Sequence, residues 1–329
     1  MTIASSSVIE RKKNVFNFYD YHEAQDDFYN EIVSGLSLNP KTLSPKFLYD
    51  EYGSQLFSAI CETPEYYPTR TEQAIIESNI EAIASNIGTD CLIIEPGSGS
   101  CEKVKTLLTT LNPVAYMPLD ISKEYLRQTA EQVSQEFPFI EIHAACVDYT
   151  SPFSVPEFNT DAHKVAFYPG SSIGNFDPEH ARSFLVNLAQ TIGKGGGLLI
   201  GVDRKKDVEI LNKAYDDSAG VTASFNKNLL SRINSELDAN FDLSKFSHHA
   251  CYNDKLGRVE MHLVSDVDQS ITINDLIFSF KKGDSIHTES SYKYSNAEFQ
   301  QLALGAGFKA IEVWSDAEEL FSVYYFEVE

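Results

Sequence analysis

Positive charge is scarce in this sequence. Its 26 lysines and arginines stand against 48 aspartates and glutamates, a net charge of −22. A surface that acidic repels phosphate backbones, so DNA, RNA and anionic membranes are poor partners. Long hydrophobic runs are missing too. No stretch of about 18 apolar residues occurs, so no membrane span is expected. The opening MTIASSSVIERKKNVF has no apolar segment of the kind a secretory signal needs. The five cysteines (Cys61, Cys91, Cys101, Cys146, Cys251) are odd in number and never spaced CxxC, which suits reduced thiols and a cytoplasmic location. None of the histidines forms HxxxH or HExxH. His248 and His249 are adjacent and would face opposite sides of a strand, so no metal site is expected.

What is present reads as a well-packed globular chain. Hydrophobic residues make up 43% and aromatics 12%, and 329 residues suffice for two domains or for one domain with an insertion. Residues 1 to about 13 read as a frayed terminus. From about 20 to 90 the spacing is helical: Phe28, Ile32, Val33 and Leu36 form one stripe, and Ala74, Ile75, Ile80 and Ile83 another, with Gly88 as a C-cap.

Between about 91 and 203 strands and helices alternate. CLIIEP, AYMPLD, IEIHAACVD, KVAFYPGS and GLLIGVD read as strands. Helices are expected from about 101 to 111, through KEYLRQTAEQVSQEF, and from Asp177 as N-cap with Pro178 at N1. This rhythm predicts a parallel, doubly wound sheet. After Asp203 it breaks. Two helices parted near Gly220 are followed by the strand-like segments FSHHACYND, RVEMHLVSD, QSITINDLIFSF and SIHTESSYKYS, then a helix and two closing strands. The expected organisation is an α/β, doubly wound sheet (68–203 and 294–329) whose tail resembles the end of a class I, Rossmann-like methyltransferase sheet, its last strands antiparallel. A second, α+β domain for substrate (14–67 and 204–293) would pack against it.

The stretch LIIEPGSGSCEK joins the first strand of that sheet to its first helix, where such folds bind nucleotides. Gly97 and Gly99 fit a dinucleotide fingerprint, but its third glycine is replaced by Glu102. That loss, with Glu95 just before the turn, disfavours a pyrophosphate. It suits S-adenosylmethionine, which carries a sulfonium and an ammonium. Asp120 ends the second strand, where a carboxylate can accept both ribose hydroxyls, and Asp148 ends the third, near the adenine. Read singly, each acid is equally a helix cap; at successive strand ends they form a pattern.

Longer blocks carry a resemblance. FLYDEYGSQLFSAICETPEYYPTRTE, EPGSGSCEKVKTLL, MPLDIS, GSSIGN, AYDDSAGVTASFNKNLLSRINSEL, RVEMHLVS and IHTESSYKYS resemble the histidine-specific Nα-methyltransferases of ergothioneine biosynthesis, which convert L-histidine to its trimethylated betaine, hercynine. The resemblance implies that Tyr49, Gly97, Lys103, Asp120, Asp148 and Tyr149 surround S-adenosylmethionine, with Gly99 in the same turn. It implies that Tyr66, Gly170, Asn175, Tyr215, Met261, Glu289 and Ser291 surround histidine. Tyr49 is the candidate catalytic residue, orienting the amine. Tyr149 stands where many relatives have Phe, and EYGS replaces a more usual Arg before Gly53.

The chemistry agrees. Asn175 and the Tyr215 hydroxyl can donate to a carboxylate. Glu289 and Ser291, two apart on a strand, share a face and can engage the two ring nitrogens. Taken alone, Glu289 is equally a solvated strand residue and Asn175 equally turn chemistry. An enzyme acting on another aromatic amino acid, such as a tryptophan derivative, is the alternative. The expected partner is a small-molecule substrate only, and a monomer is expected.

Overall fold

The computed structural model describes residues 15–21, 28–149 and 162–329. The frayed terminus expected for residues 1 to 13 lies outside them. The chain begins with a strand, β1 (Phe16–Asp20), then α1 (Phe28–Ser37) and the two-residue β2 (Lys41–Thr42). Three helices follow: α2 (Glu51–Cys61), α3 (Tyr67–Ser78) and α4 (Ile80–Ile87). Local signals set their ends. Asp50 caps α2 by accepting the Gly53 N–H at 2.7 Å, Pro68 opens α3, and Gly88, at φ +79°, ends α4.

The alternating region folds as expected. It comprises β3 (Cys91–Pro96), α5 (Lys105–Leu111), β4 (Ala115–Asp120), α6 (Lys123–Glu136), β5 (Glu141–Cys146), β6 (His163–Tyr168), α7 (Pro178–Ile192) and β7 (Gly197–Asp203). Asp177 caps α7, accepting from the Glu179 and His180 N–H groups. One boundary moves: α5 starts at Lys105, not near 101. Gly97, Gly99 and Cys101 all adopt positive φ, so helical hydrogen bonding cannot begin until the turn is complete.

Beyond β7 come α8 (Val208–Tyr215), α9 (Val221–Leu237), β8 (Phe246–Asn253), β9 (Arg258–Ser265), β10 (Gln269–Ile273), β11 (Leu276–Phe280) and β12 (Ser285–Tyr292). Gly220, left-handed at φ +73°, separates the two helices. The single strand read over QSITINDLIFSF is instead a hairpin. Ile273 pairs with Leu276 across a two-residue Asn-Asp turn in which Asn274 takes φ +51°. The chain closes with α10 (Asn296–Leu304), β13 (Phe308–Ser315) and β14 (Phe321–Val328).

Eight strands form the main sheet in the order β1-β5-β4-β3-β6-β7-β14-β13. All pairs are parallel except β7–β14 and β14–β13, which are antiparallel as expected. The order reverses at β3, so its carboxyl end is the topological switch point and the glycine turn sits there. Both faces are covered, which explains the unbroken apolar strands. Leu92 and Ile94 pack towards α7 and α10, whereas Cys91 and Ile93 pack towards α3, α4, α5 and α6. The unexpected member is β1, parallel to β5 at the edge with Phe16 opposite Ile142. Five residues without a flanking turn signal gave too little pattern to read.

A four-stranded sheet, β2-β12-β9-β8, belongs to a third apolar cluster. That cluster joins Phe28, Ile32 and Phe47 from the start of the chain to Phe225, Leu229 and Met261 from the later segment. Past its end β12 meets β7: Tyr294 donates its N–H to the Asp203 carbonyl at 3.2 Å and accepts from Lys205 N–H. This junction lies at the carboxyl end of the main sheet.

Candidate active site

The turn after β3 is shaped by its backbone. The Gly97 and Ser98 N–H groups donate to the Leu119 carbonyl, at 2.7 and 3.0 Å, which ties the turn to the end of β4. Gly97 has φ +68° and Gly99 φ +52°. A Cβ on Gly97 would come within 2.7 Å of the Tyr149 hydroxyl, whereas one on Gly99 would meet nothing. The turn is thus closed by Tyr149 on one side and open on the other. Asp120 accepts the Gly99 N–H with one oxygen (3.1 Å) and the Ser122 N–H with the other (2.9 Å). Asp148 lies half-buried two residues past β5. The Ser98 hydroxyl is buried and has no protein partner. Residues from three strand ends therefore converge, bringing carboxylates and the Ser98 hydroxyl together, an arrangement that fits an adenosyl group and its ribose.

Glu95 plays a different part from the one its position suggested. It is buried, and that burial pushes its carboxyl up to about 8 although the Tyr116 hydroxyl donates to it. At neutral pH it is mostly protonated and adds little negative charge to this end of the sheet.

The other predicted residues meet in one pocket. Tyr49, Tyr66, Gly170, Asn175, Tyr215, Met261, Glu289 and Ser291 all line it. Each comes from a different place. Tyr49 follows a 3₁₀ turn ahead of α2, Tyr66 precedes α3, and Tyr215 ends α8. Gly170 precedes, and Asn175 ends, a short 3₁₀ turn after β6. Met261 on β9 is the cross-strand partner of Glu289 on β12. Glu289 is only 7% exposed, so it is no solvated strand residue. Burial pushes its carboxyl up to about 7, against the pull of the Lys293 ammonium. Burial also holds the Tyr49 and Tyr66 hydroxyls well above their usual range, so both stay protonated at neutral pH. Tyr49 packs edge-on against Phe57 and Phe225, at 5.6 and 5.3 Å between centroids, forming an aromatic wall.

Two groups that shape this site went unread in the sequence. Glu72, only 2% exposed, accepts the Gly170 N–H with both oxygens, at 2.8 and 2.9 Å, and pairs with Lys103 at 3.1 Å. It therefore ties Lys103, expected at the cofactor, to Gly170, expected at the substrate. Its signal was an acid in register with Ile75 and Ile76 on the buried stripe of α3. The second is Asp203 with its two lysines. Its carboxylate lies 2.7 Å from the buried Lys293 ammonium, contacts Lys206 and accepts the Tyr67 hydroxyl at 2.7 Å. Burial works against the Asp203 charge, but the lysines outweigh it and hold the carboxyl below its usual range.

Elsewhere, Cys251, Glu260 and His262 each bring a ligand atom within 4.8 Å of one another, on the face of the small sheet opposite Met261. Sequence spacing hid this group because antiparallel pairing of β8 with β9 assembles it. Glu260 there already holds Arg258 at 2.7 Å and His262 at 3.2 Å.

A doubly wound sheet with an antiparallel end, a glycine turn at its switch point and acids at the next strand ends defines a class I S-adenosylmethionine-dependent methyltransferase. Residues 28–328 match the model of the histidine-specific, S-adenosylmethionine-dependent methyltransferases, and the chain belongs to that family. It is 36% identical over 307 residues to the histidine N-alpha-methyltransferase of Mycolicibacterium smegmatis, covering 91% of this chain and 94% of that one. It is 31% identical over 290 residues to ergothioneine biosynthesis protein 1 of Neurospora crassa, covering 85% of this chain and 32% of that longer one. With the 4-dimethylallyltryptophan N-methyltransferase of Claviceps purpurea it shares 29% over 323 residues, covering 90% and 93%.

Proposed function

We propose that this enzyme trimethylates the α-amino nitrogen of L-histidine to give hercynine, a step towards ergothioneine, and that it works as a cytoplasmic monomer. The observation that carries the reading is the buried Glu289 carboxylate with the Ser291 hydroxyl two residues on, both lining a pocket that also has five aromatic side chains in its wall. An imidazole offers one N–H and one acceptor nitrogen, which this pair can satisfy. An indole offers only a donor and would leave the hydroxyl unanswered. The greater identity to the histidine enzyme than to the tryptophan-derivative enzyme points the same way.

The division of labour follows the apolar clusters. Residues 28–67 and 204–293 form the substrate domain, and 68–203 with 294–329 the cofactor domain; β1, expected with the substrate domain, pairs with β5 and packs on the cofactor side instead. Gly97, Gly99, Lys103, Asp120, Asp148 and Tyr149 hold S-adenosylmethionine, which supplies a sulfonium-activated methyl group when bound. Asn175 receives the substrate carboxylate; Tyr215, whose one hydroxyl proton goes to Ser291 Oγ, lines the pocket beside it with Tyr66, Gly170 and Met261, which shape the space around the side chain. Catalysis is chiefly alignment of the amine with that methyl.

The amine must be neutral before each transfer, and an α-amino pKa near ~8 lets bulk water take the proton at modest cost. Tyr49 is no base, because its hydroxyl stays protonated. Its oxygen can accept an amine N–H in the first two transfers and leave the nitrogen lone pair facing the methyl. In the third, the neutral dimethylated nitrogen has no N–H left. The wall of Tyr49, Phe57 and Phe225 then suits the growing quaternary ammonium.

The test is to incubate each of the twenty amino acids with enzyme and S-adenosylmethionine and weigh the products. A gain of three methyl groups on histidine alone is expected. A gain on tryptophan and none on histidine would replace this reading with the alternative.

A further inference from the structure

Lys293 lies just past the end of β12, fully buried. Continuing the alternation of Glu289 and Ser291, it brings its ammonium 2.7 Å from Asp203 Oδ2, 2.9 Å from Tyr215 Oη and 2.8 Å from Ser291 Oγ. An ammonium has N–H bonds to give and accepts nothing; Lys293 gives two of them to Tyr215 Oη and Ser291 Oγ, with Asp203 beside it as counter-charge. Tyr215 in turn donates its hydroxyl proton to Ser291 Oγ at 2.8 Å. Ser291 Oγ thus accepts twice, and a hydroxyl oxygen has two lone pairs. Only its own proton is left, and Ser291 lines the cavity.

We propose that Lys293 is a positioning residue that fixes Ser291 as a hydrogen-bond donor to the substrate, so that the site takes imidazole only as the neutral ring. One ring nitrogen accepts from Ser291, and the other donates to Glu289. The inference rests on histidine being the substrate. An imidazolium carries N–H on both nitrogens. Against Ser291 it would meet an acceptor already filled, with a buried ammonium behind it. Without the lysine, Ser291 would regain a lone pair and could accept as readily as donate.

The ionisable groups around the ring are few. Tyr215 comes from α8, Tyr49 and Tyr66 from the starts of α2 and α3, and Cys61 from the end of α2. Burial raises all four above their usual range and keeps them protonated. His248 on β8 bonds the Tyr215 carbonyl at 2.8 Å, and burial lowers its pKa. Lys103 with Glu72 lies behind Gly170, and Asp203 with Lys206 behind Lys293. Of the groups lining the cavity, Glu289 is the one that burial brings to titrate near neutrality, at about 7, alongside the ring itself.

The test separates those two titrations. KM is measured for L-histidine and for 2-fluoro-L-histidine, whose electron-poor ring stays neutral, from about pH 7.5 down to about pH 5.5. Titration of Glu289 acts on both substrates and cancels in the ratio of the two KM values. A ring pKa of ~6.5 makes the neutral fraction of histidine fall about tenfold over that range. The ratio should therefore rise about tenfold in the wild type and stay within about twofold in Lys293→Met. That variant leaves Asp203 its Lys206 and Tyr67 partners. Tyr215→Phe frees the other lone pair of Ser291 while keeping the Lys293–Asp203 pair, and carries the same expectation should Lys293→Met fold poorly. A flat ratio in the wild type, or an undiminished rise in the variants, overturns the proposal. Absence of histidine methylation at every pH would instead strike at the substrate itself.

Discussion

The cofactor end and the substrate end of this molecule are built by different means. The cofactor end draws on one contiguous stretch, from the turn after β3 to Tyr149 past β5, and backbone geometry does much of the work. Two positive-φ glycines and a carbonyl at the end of β4 set the turn. The substrate cavity draws side chains from Tyr49 to Ser291, brought together by two sheets. A site of the first kind is a property of a local fold. One of the second kind exists only when distant segments dock, so the contacts that fasten the two sheets matter as much as the residues that face the ligand.

The sharpest way to break this contrast is at Asp203, where the main sheet meets β12. Asp203→Ala leaves Lys293 and Lys206 buried without their shared counter-charge. Removing one partner of a buried ion pair costs ~3–5 kcal/mol. The thermal unfolding midpoint should drop clearly, with cofactor binding and histidine binding lost together. An unchanged midpoint would mean that the two sheets are fastened elsewhere.

Two smaller substitutions should part the ends instead. Glu289→Ala removes an acceptor for the ring N–H and should lower kcat/KM for histidine by about ten- to a hundred-fold, or ~1.5–3 kcal/mol, with cofactor affinity little changed. Asp120→Ala should do the reverse. It deprives the ribose of a charge-assisted acceptor worth ~1.5–3 kcal/mol and also releases the Gly99 and Ser122 N–H groups. Calorimetric titration of each variant with S-adenosylmethionine and with histidine decides the matter. Equal losses for both ligands in either variant would show that the ends are not separable.

The same contrast explains what the sequence discloses. The strand–turn–helix rhythm, the Asp177 cap and the break at Gly220 are local patterns, and the structure agrees with each. The glycine turn is local too, so its place at the switch point could be read directly. Nothing in periodicity alone joins Tyr49 to Glu289; only the resemblance of long blocks to a family did so. Even those blocks left Lys293 and Glu72 without a role, although both fall within them, and Asp203 lies outside every block. Their importance comes from burial and from partners on distant elements, which no spacing rule encodes. The edge strand β1 stayed hidden for a related reason: its partner β5 lies more than a hundred residues away.

The smallest expected effect concerns the one side chain that serves both ends. Glu72 grips the Gly170 N–H on the substrate side and the Lys103 ammonium on the cofactor side. Glu72→Gln keeps the shape and one acceptor oxygen, so the Gly170 N–H retains a partner. It turns the other oxygen into an NH₂ donor and removes the charge opposite Lys103. Neutral hydrogen bonds are about half as strong as charge-assisted ones, so each ligand should lose ~0.5–1.5 kcal/mol. That is a rise of about two- to ten-fold in KM for S-adenosylmethionine and for histidine alike. The midpoint of unfolding should fall only slightly, since Gly201 already packs against this side chain and no cavity is opened. A loss confined to one ligand would assign Glu72 to that end alone, and Lys103 and Gly170 would then be coupled through something other than this carboxylate.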